Sequence, residues 1–196
     1  MIKVALTGNI ASGKSQIENF FSLFDVKILD ADKIVLDLYK NSSFLAQIKA
    51  KFQQKNLIEN NQLNKDKLVF ELFNDELFKK EFENFIHPIV WEKIENFFEE
   101  NQKEKFVIIS IPLLFECGWQ SRFDKIILAT ADEKVRVERL MKRNNIAEND
   151  AMKRISVQMP DKQKLQVVDF VIENNSTLDE LKLFVQKVFE VLNECE

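Results

Sequence analysis

Gly8-Asn9-Ile10-Ala11-Ser12-Gly13-Lys14-Ser15 is the stretch on which the fold turns. It follows Ile2 to Thr7, an apolar run rich in β-branched residues that reads as a buried strand. It opens Lys14 to Phe24, where Ile17, Phe20, Phe21 and Phe24 fall at helical spacing. Strand, glycine turn and helix form the setting in which G-x-x-x-x-G-K-[ST] wraps a polyphosphate. Glycines let the backbone close on phosphate oxygens without Cβ clashes, so successive N–H groups from Gly8 to Gln16 can point inward as a nest. The helix N-terminus adds its positive dipole end. Lys14 is then a mobile charge for the β- and γ-phosphates, and the Ser15 hydroxyl a ligand for Mg²⁺ carried with ATP. A chance turn is the competing reading. The chain has only three glycines, Gly8, Gly13 and Gly118, and two of them stand at the required spacing.

Outward from the loop, Val26 to Leu29 is a second strand, running into Asp30-Ala31-Asp32. From Lys33 to about Gln102 every segment reads as helical. Ile34, Leu38, Phe44, Ile48 and Phe52 recur at helical intervals, as do Phe78, Phe82, Phe85 and Ile89, with polar turns near Asn41-Ser42 and from Glu59 to Asn64. Three further apolar runs read as strands: Phe106 to Ile111, Lys125 to Ala129 and Val167 to Ile172. Helices are expected over Glu133 to Lys142 and Leu178 to Leu192. The alternation predicts an α/β fold, a mostly parallel sheet covered by helices on both faces. The expected core is 1–32 with 103–196, carrying a lid at about 139–160; residues 33–102 form an inserted helical subdomain.

Composition narrows the function. Of 196 residues 45% are hydrophobic, 18 of them Phe, which is enough for a sizeable core. A net charge of −4 gives no reason to expect nucleic-acid binding, so a phosphate site must rely on local cations and backbone N–H groups. One His and two distant cysteines, Cys117 and Cys195, argue against zinc and for a reducing compartment. Neither a signal peptide nor a membrane span is read, so the expectation is a cytoplasmic monomer or weak homo-oligomer.

Absences sort this chain among phosphate-loop proteins. No Asp stands three residues before any glycine, as a GTPase switch needs, and Asn64-Lys65-Asp66-Lys67 ends in Lys where guanine recognition asks for Asp. The strand from Phe106 ends in Ser110 where motor and transport ATPases place an Asp. What remains is a small-molecule kinase, which needs an acceptor site, an orienting carboxylate and a cationic lid.

Asp30 and Asp32 follow the second strand at the edge where parallel strands carry ligands. A carboxylate there can orient a hydroxyl and take its proton late in transfer; an Asp before a helix is equally an N-cap. The segment reads as extended, with the two side chains on opposite faces, so that one of them meets the acceptor. Four of the five arginines, Arg136, Arg139, Arg143 and Arg154, cluster late in the chain, and Arg139 and Arg143 share a helical face. As a lid they would hold phosphate oxygens and exclude water; the plainer reading is a solvated helix. His87 alone is more often structural, and Pro88 is expected to begin a new helix at its first turn.

In order along the chain these pieces resemble the dephospho-CoA kinase family. The residues are Val4 to Ser15, Ile28-Leu29-Asp30-Ala31-Asp32, Ile86-His87-Pro88, Pro112-Leu113-Leu114-Phe115-Glu116, Arg139 to Arg143, Gln158, and Asp169-x-Val171-Ile172-x-Asn174. The resemblance implies an adenylate-kinase-like core, a helical acceptor-binding domain and an arginine lid. It implies transfer of the ATP γ-phosphate to the ribose 3′-hydroxyl of dephospho-CoA. On it Asp32 is the base, with Lys14, Arg139 and Arg143 beside it in catalysis; His87, Leu114, Glu116 and Gln158 line the acceptor, and Asn174 lies near the adenine end of the ATP site.

Some positions depart from the family. Asn9 and Ala11 stand where it usually has Gly, and Asn9 is expected to take the backbone angle the loop requires. Its Asp-Gly-x-Leu-Asp-Arg turn appears here as Asn61-Gln62-Leu63-Asn64-Lys65, losing a Gly and an Arg. The alternatives are another small-molecule kinase, for nucleoside monophosphates or sugar acids, and a nucleotide-dependent binding module. The first lacks the His87-Pro88 and Pro112 to Glu116 pair; the second has no use for Asp32.

Overall fold

The computed structural model describes residues 1–194, so Cys195 lies outside the described residues. The chain divides into two compact units, 1–30 with 98–196, and 31–97.

The first unit is built on a sheet. Its strands among the described residues are β1 (Ile2–Gly8), β2 (Ile28–Asp30), β5 (Phe106–Ser110), β6 (Lys125–Thr130) and β7 (Phe170–Glu173), in the order β2-β5-β1-β6-β7. All the pairings are parallel. The central strand is apolar on both faces, and Val4, Ala5 and Leu6 are fully buried, because helices cover the sheet. Besides the end of α5 (Glu76–Glu100), the unit's helices among the described residues are α1 (Lys14–Ser22), α6 (Glu133–Asn144), α7 (Glu148–Ser156), α8 (Asp161–Lys164) and α9 (Leu178–Glu194). Ile17 and Phe21 of α1 pack with Leu181, Val185 and Leu192 of α9 against Val4, Leu6, Ile108, Ile127 and Ile172. Burying one such side chain stabilises by about 1.5–3 kcal/mol. Parallel strands bring their carboxyl ends to one edge. Register aligns Asp30 with Ser110, Leu6 with Ser110, and Gly8 with Ala129, so that edge carries the phosphate loop.

The last strand is displaced from the run read in sequence. Val167 is exposed and its N–H turns back to Lys164 O at the end of α8, while Asp169 Oδ2 accepts from Ile126 N. Pairing with β6 starts only at Phe170.

The 31–97 unit contains α2 (Ala31–Leu38), α3 (Ser42–Lys51), α4 (Lys65–Asn74) and the greater part of α5 (Glu76–Glu100). Asn41 caps α3 by accepting from Phe44 N at 3.0 Å, and Asn64 caps α4 by accepting from Lys67 N at 3.0 Å. Two expectations are corrected here. The unit is not wholly helical: β3 (Ile58–Glu59) and β4 (Gln62–Leu63) form an antiparallel hairpin. Its turn residues Asn60 and Asn61 both have positive φ, 49° and 59°, which the twist of a two-residue hairpin demands and Asn tolerates. The turn therefore forms without the family's glycine. Pro88 does not start a helix; it lies inside α5. It cannot donate to the carbonyl of Asn84, and an interior proline costs about 3 kcal/mol.

Phe rings fill the centre of this unit. Phe52 contacts Phe78, Phe82 and Phe85 at centroid distances of 5.4, 5.5 and 5.7 Å, and Phe44 stacks on Phe85 at 5.4 Å. Burial pushes the Tyr39 phenol up to about 12.

Candidate active site

The loop passes from β1 to α1 through two left-handed residues, Ala11 (φ 63°) and Gly13 (φ 93°). Asn9 is not one of them, so the expectation for Asn9 is corrected: the strained angle falls on Ala11, whose Cβ disfavours it. Both loop glycines are required by close approach. A Cβ on Gly8 would lie 2.5 Å from the Ala129 carbonyl oxygen, and one on Gly13 would lie 1.8 Å from Asn174 Nδ2. The N–H groups of Gln16 and Ile17 turn back to Gly13 O, leaving those of Lys14 and Ser15 ahead of the first helical bonds. Ser15 is exposed, while Ser12 is buried and its Oγ has no hydrogen-bond partner among the described residues.

Lys14 Nζ donates to Glu18 Oε1 at 2.9 Å, one turn along α1, and to the hydroxyl of Ser110. Ser110 donates in turn to Glu18 Oε1 at 2.5 Å. The Lys14 ammonium is thus held at the end of β5, next to the loop.

Arg139 and Arg143, read as one lid face, sit in different settings. Arg139 Nη2 donates to Asn174 O at 2.9 Å and to Asn174 Oδ1 at 3.2 Å, and its Nη1 lies 3.5 Å from Ala11 O. Arg143, one turn on, is exposed and bonds Asn144 Oδ1 at 3.0 Å. Asn174 completes the loop's support: its Nδ2 donates to Ser12 O at 2.9 Å. Ile10 and Ala11 also pack on the small core of Val137, Leu140, Ala151 and Ile155, which joins α6 and α7 to the loop.

Two residues expected on the acceptor side are held by the fold itself. Gln158 Oε1 accepts from Ile10 N at 2.7 Å, so this amide holds the phosphate loop. Leu114 is fully buried and anchors the Pro112 to Glu116 segment in the core. Glu116 Oε1 accepts from Met159 N at 3.2 Å and from Lys164 Nζ at 3.2 Å.

Asp32 and His87 belong to the other unit. The expectation of an extended Asp30 to Asp32 segment is corrected. Asp30 closes β2, and Asp32 stands exposed in the first turn of α2. Residues two apart in a strand share a face, so alternate spacing gives no ground for setting these side chains on opposite faces. His87 is half-buried on α5, and that burial pushes its imidazole below the ordinary value, with Glu83 pulling partly back.

A family model described as dephospho-CoA kinase matches residues 2–180. The chain belongs to the dephospho-CoA kinase family. A dephospho-CoA kinase of Fusobacterium nucleatum is 33% identical over 192 residues, 96% of this chain and 97% of that one. Among solved structures, dephospho-CoA kinase from Campylobacter jejuni superposes with a TM-score of 0.72 at 28% identity, over 98% of this chain and 97% of that one. A protein from Thermus thermophilus superposes with a TM-score of 0.86 at 28% identity, over 97% of both chains. The fold is accordingly that of the P-loop kinases, and the family is one of ATP-dependent phosphotransferases.

Within this dephospho-CoA kinase family member, sequence reasoning overlooked the residues that brace the loop from below. Lys164 is fully buried with its ammonium 2.6 Å from Asn9 Oδ1. Asp161 accepts from Asn9 Nδ2 at 2.6 Å and from Thr130 Oγ1 at 2.8 Å. Arg136 is buried, its Nη2 3.9 Å from Asp161 Oδ2, with Nε and Nη1 unpartnered among the described residues. Asp161 and Lys164 lie in a polar run, Asp-Lys-Gln-Lys, that carries no sign of burial.

Proposed function

We propose that this chain transfers the γ-phosphate of ATP to the ribose 3′-hydroxyl of dephospho-CoA, giving coenzyme A and ADP. The observation that carries the reading is the loop itself. Two glycines that admit no Cβ and an open helix N-terminus make a phosphate cradle, with a lysine at its edge, in a chain of this family.

In this reading the loop from Gly8 to Gln16 wraps the triphosphate and turns the N–H groups of Lys14 and Ser15 to its oxygens; those of Ile10, Ser12 and Gln16 are bonded to Gln158, Asn9 and Gly13. Lys14 leaves Glu18 and Ser110 for the β- and γ-phosphates, because a phosphate offers it more charge than one shared carboxylate. Arg139 holds the loop in shape, and Arg143, exposed and bonded to its neighbour Asn144, exchanges that bond to cover the transferring group. Asp32 orients the acceptor hydroxyl and deprotonates it late in this reading, and His87 and Glu116 flank the acceptor. Asn174 lies toward the adenine end.

Mg²⁺ fits the donors present. It keeps several waters and takes few protein oxygens beside substrate phosphates, and the exposed Ser15 hydroxyl is one such donor. Among the described residues no group of three or more His, Cys, Asp or Glu could hold a metal. When bound with ATP the ion would neutralise charge on the β- and γ-oxygens. No helix among the described residues is long and apolar enough to cross a membrane. We assign the chain to the cytoplasm as a monomer or weak homo-oligomer, without nucleic acid.

The test is ADP release from purified protein with dephospho-CoA, AMP, CMP, gluconate and shikimate offered in turn. Turnover with dephospho-CoA alone is expected, and a preference for another acceptor overturns the assignment. Lys14→Ala should keep the fold and lose turnover by roughly a hundredfold or more, as expected when a charged phosphate contact is removed.

A further inference from the structure

We infer that Lys164 is a positioning residue that joins the phosphate loop to the Pro112 to Glu116 segment. The inference rests on the reading above that Glu116 serves the acceptor side.

Lysine is among the residues least often fully buried, because its ammonium loses water and must find acceptors in return. Lys164 is 0% exposed. Its ammonium donates to Asn9 Oδ1 at 2.6 Å and to Glu116 Oε1 at 3.2 Å, and lies 5.9 Å from the centre of the Phe115 ring. Asn9 Nδ2 donates to Met159 O at 3.0 Å and to Asp161 Oδ1 at 2.6 Å. The amide orientation is therefore fixed. Reversed, it would set its NH₂ against an ammonium and its oxygen against two acceptors. Met159 N in turn donates to Glu116 Oε1 at 3.2 Å.

These contacts close a ring: Asn9 to Lys164, Lys164 to Glu116, Glu116 to Met159, Met159 to Asn9. No member moves alone without breaking a bond to two others. Lys164 itself, buried throughout, reaches no substrate. Its effect must pass through Asn9 on one side and Glu116 on the other, holding the two segments at one separation. Phosphoryl transfer depends steeply on that kind of register, since a misplacement of about 1 Å can cost a hundredfold in rate.

The test is a set of cross-effects. Asn9→Ala alters the donor loop, yet it should raise KM for dephospho-CoA at saturating ATP. Glu116→Gln alters the acceptor segment, yet it should raise KM for ATP at saturating dephospho-CoA. Each cross-effect is expected at about threefold or more, and each should shrink in a Lys164→Met background, where only the Met159 side of the ring remains. Thermal midpoints are recorded alongside, because a merely structural lysine would move those and leave no cross-effect to reduce. Absence of both cross-effects while Lys164 is present overturns the inference, as does their persistence unchanged with Lys164→Met. If Lys164→Met does not fold, Lys164→Gln takes its place, with the same shrinkage expected and unchanged cross-effects again overturning the inference. If Glu116→Gln leaves KM for dephospho-CoA untouched but raises KM for ATP, the acceptor role of Glu116 fails and the bridge stands.

Discussion

In the sheet unit a lysine is buried against partners drawn from distant parts of the chain, whereas in the 31–97 unit the interior is a set of Phe rings with Phe52 at their centre. The first arrangement is directional. Each donor has an assigned acceptor, and a small displacement breaks the match. The second is held by area and ring packing, which tolerate small adjustments. A phosphate cradle needs fixed geometry, so bonds of the first kind gather beneath it. A unit that presents polar groups such as Asp32 at its surface needs mainly a stable frame.

The largest effect expected falls on the surface of that frame. Asp32→Asn should bind ATP and dephospho-CoA with little loss but transfer phosphate roughly a hundredfold to ten-thousandfold more slowly. Single-turnover transfer from labelled ATP measures this, with Asp30→Asn as control. A crippled Asp30→Asn beside an active Asp32→Asn would reverse the assignment.

Next comes the frame's interior. Phe52 is 4% exposed, and Phe52→Ala should destabilise by about 3–5 kcal/mol. Amide exchange should quicken more across 31–97 than in β1, β5 and β6. Uniform quickening would mean the two units do not differ in kind.

A smaller change should run the other way. Ala11→Gly removes the Cβ that opposes φ 63° and should raise stability by up to about 1 kcal/mol in denaturant titration. A loss instead would show that Ala11's packing on the α6–α7 core outweighs its strain.

The smallest effect concerns His87. Its folded pKa lies below the unfolded value near 6.5, so the unfolded chain takes up a proton that the folded chain refuses. Stability is full above that value and falls as pH drops through it towards the folded pKa. Denaturation midpoints at pH 7.5 and 5.5 should separate more in the parent chain than in His87→Gln. Equal separation would remove the imidazole from the account.

How much of this was legible in sequence depended on range. β1, β5 and β6 were readable because fully buried parallel strands are continuous apolar runs, and the loop because its glycines sit between strand and helix. The β3–β4 hairpin was not, since two-residue strands have no periodicity to detect. Pro88 misled because tertiary packing outweighed a local preference. Lys164 was invisible for another reason: nothing near it in sequence announces that Asn9 and Glu116 will close over it. The same kind of long-range closure ties Gln158 to the loop through Ile10 N.

The glycines have a consequence for how this chain can drift. Left-handed backbone at positions 56, 60, 61 and 145 is already entrusted to asparagine, so those bends do not depend on glycine. Gly118 has φ 67° with nothing within 4 Å of an added Cβ, and it too is open to an asparagine. Gly8 and Gly13 are closed by collision, the one against the Ala129 carbonyl, the other against the Asn174 amide. Gly13 could change only after Asn174 had already shrunk. Gly8 faces main chain, which no neighbouring substitution removes, so it is the position from which a lineage carrying this loop has no neutral exit.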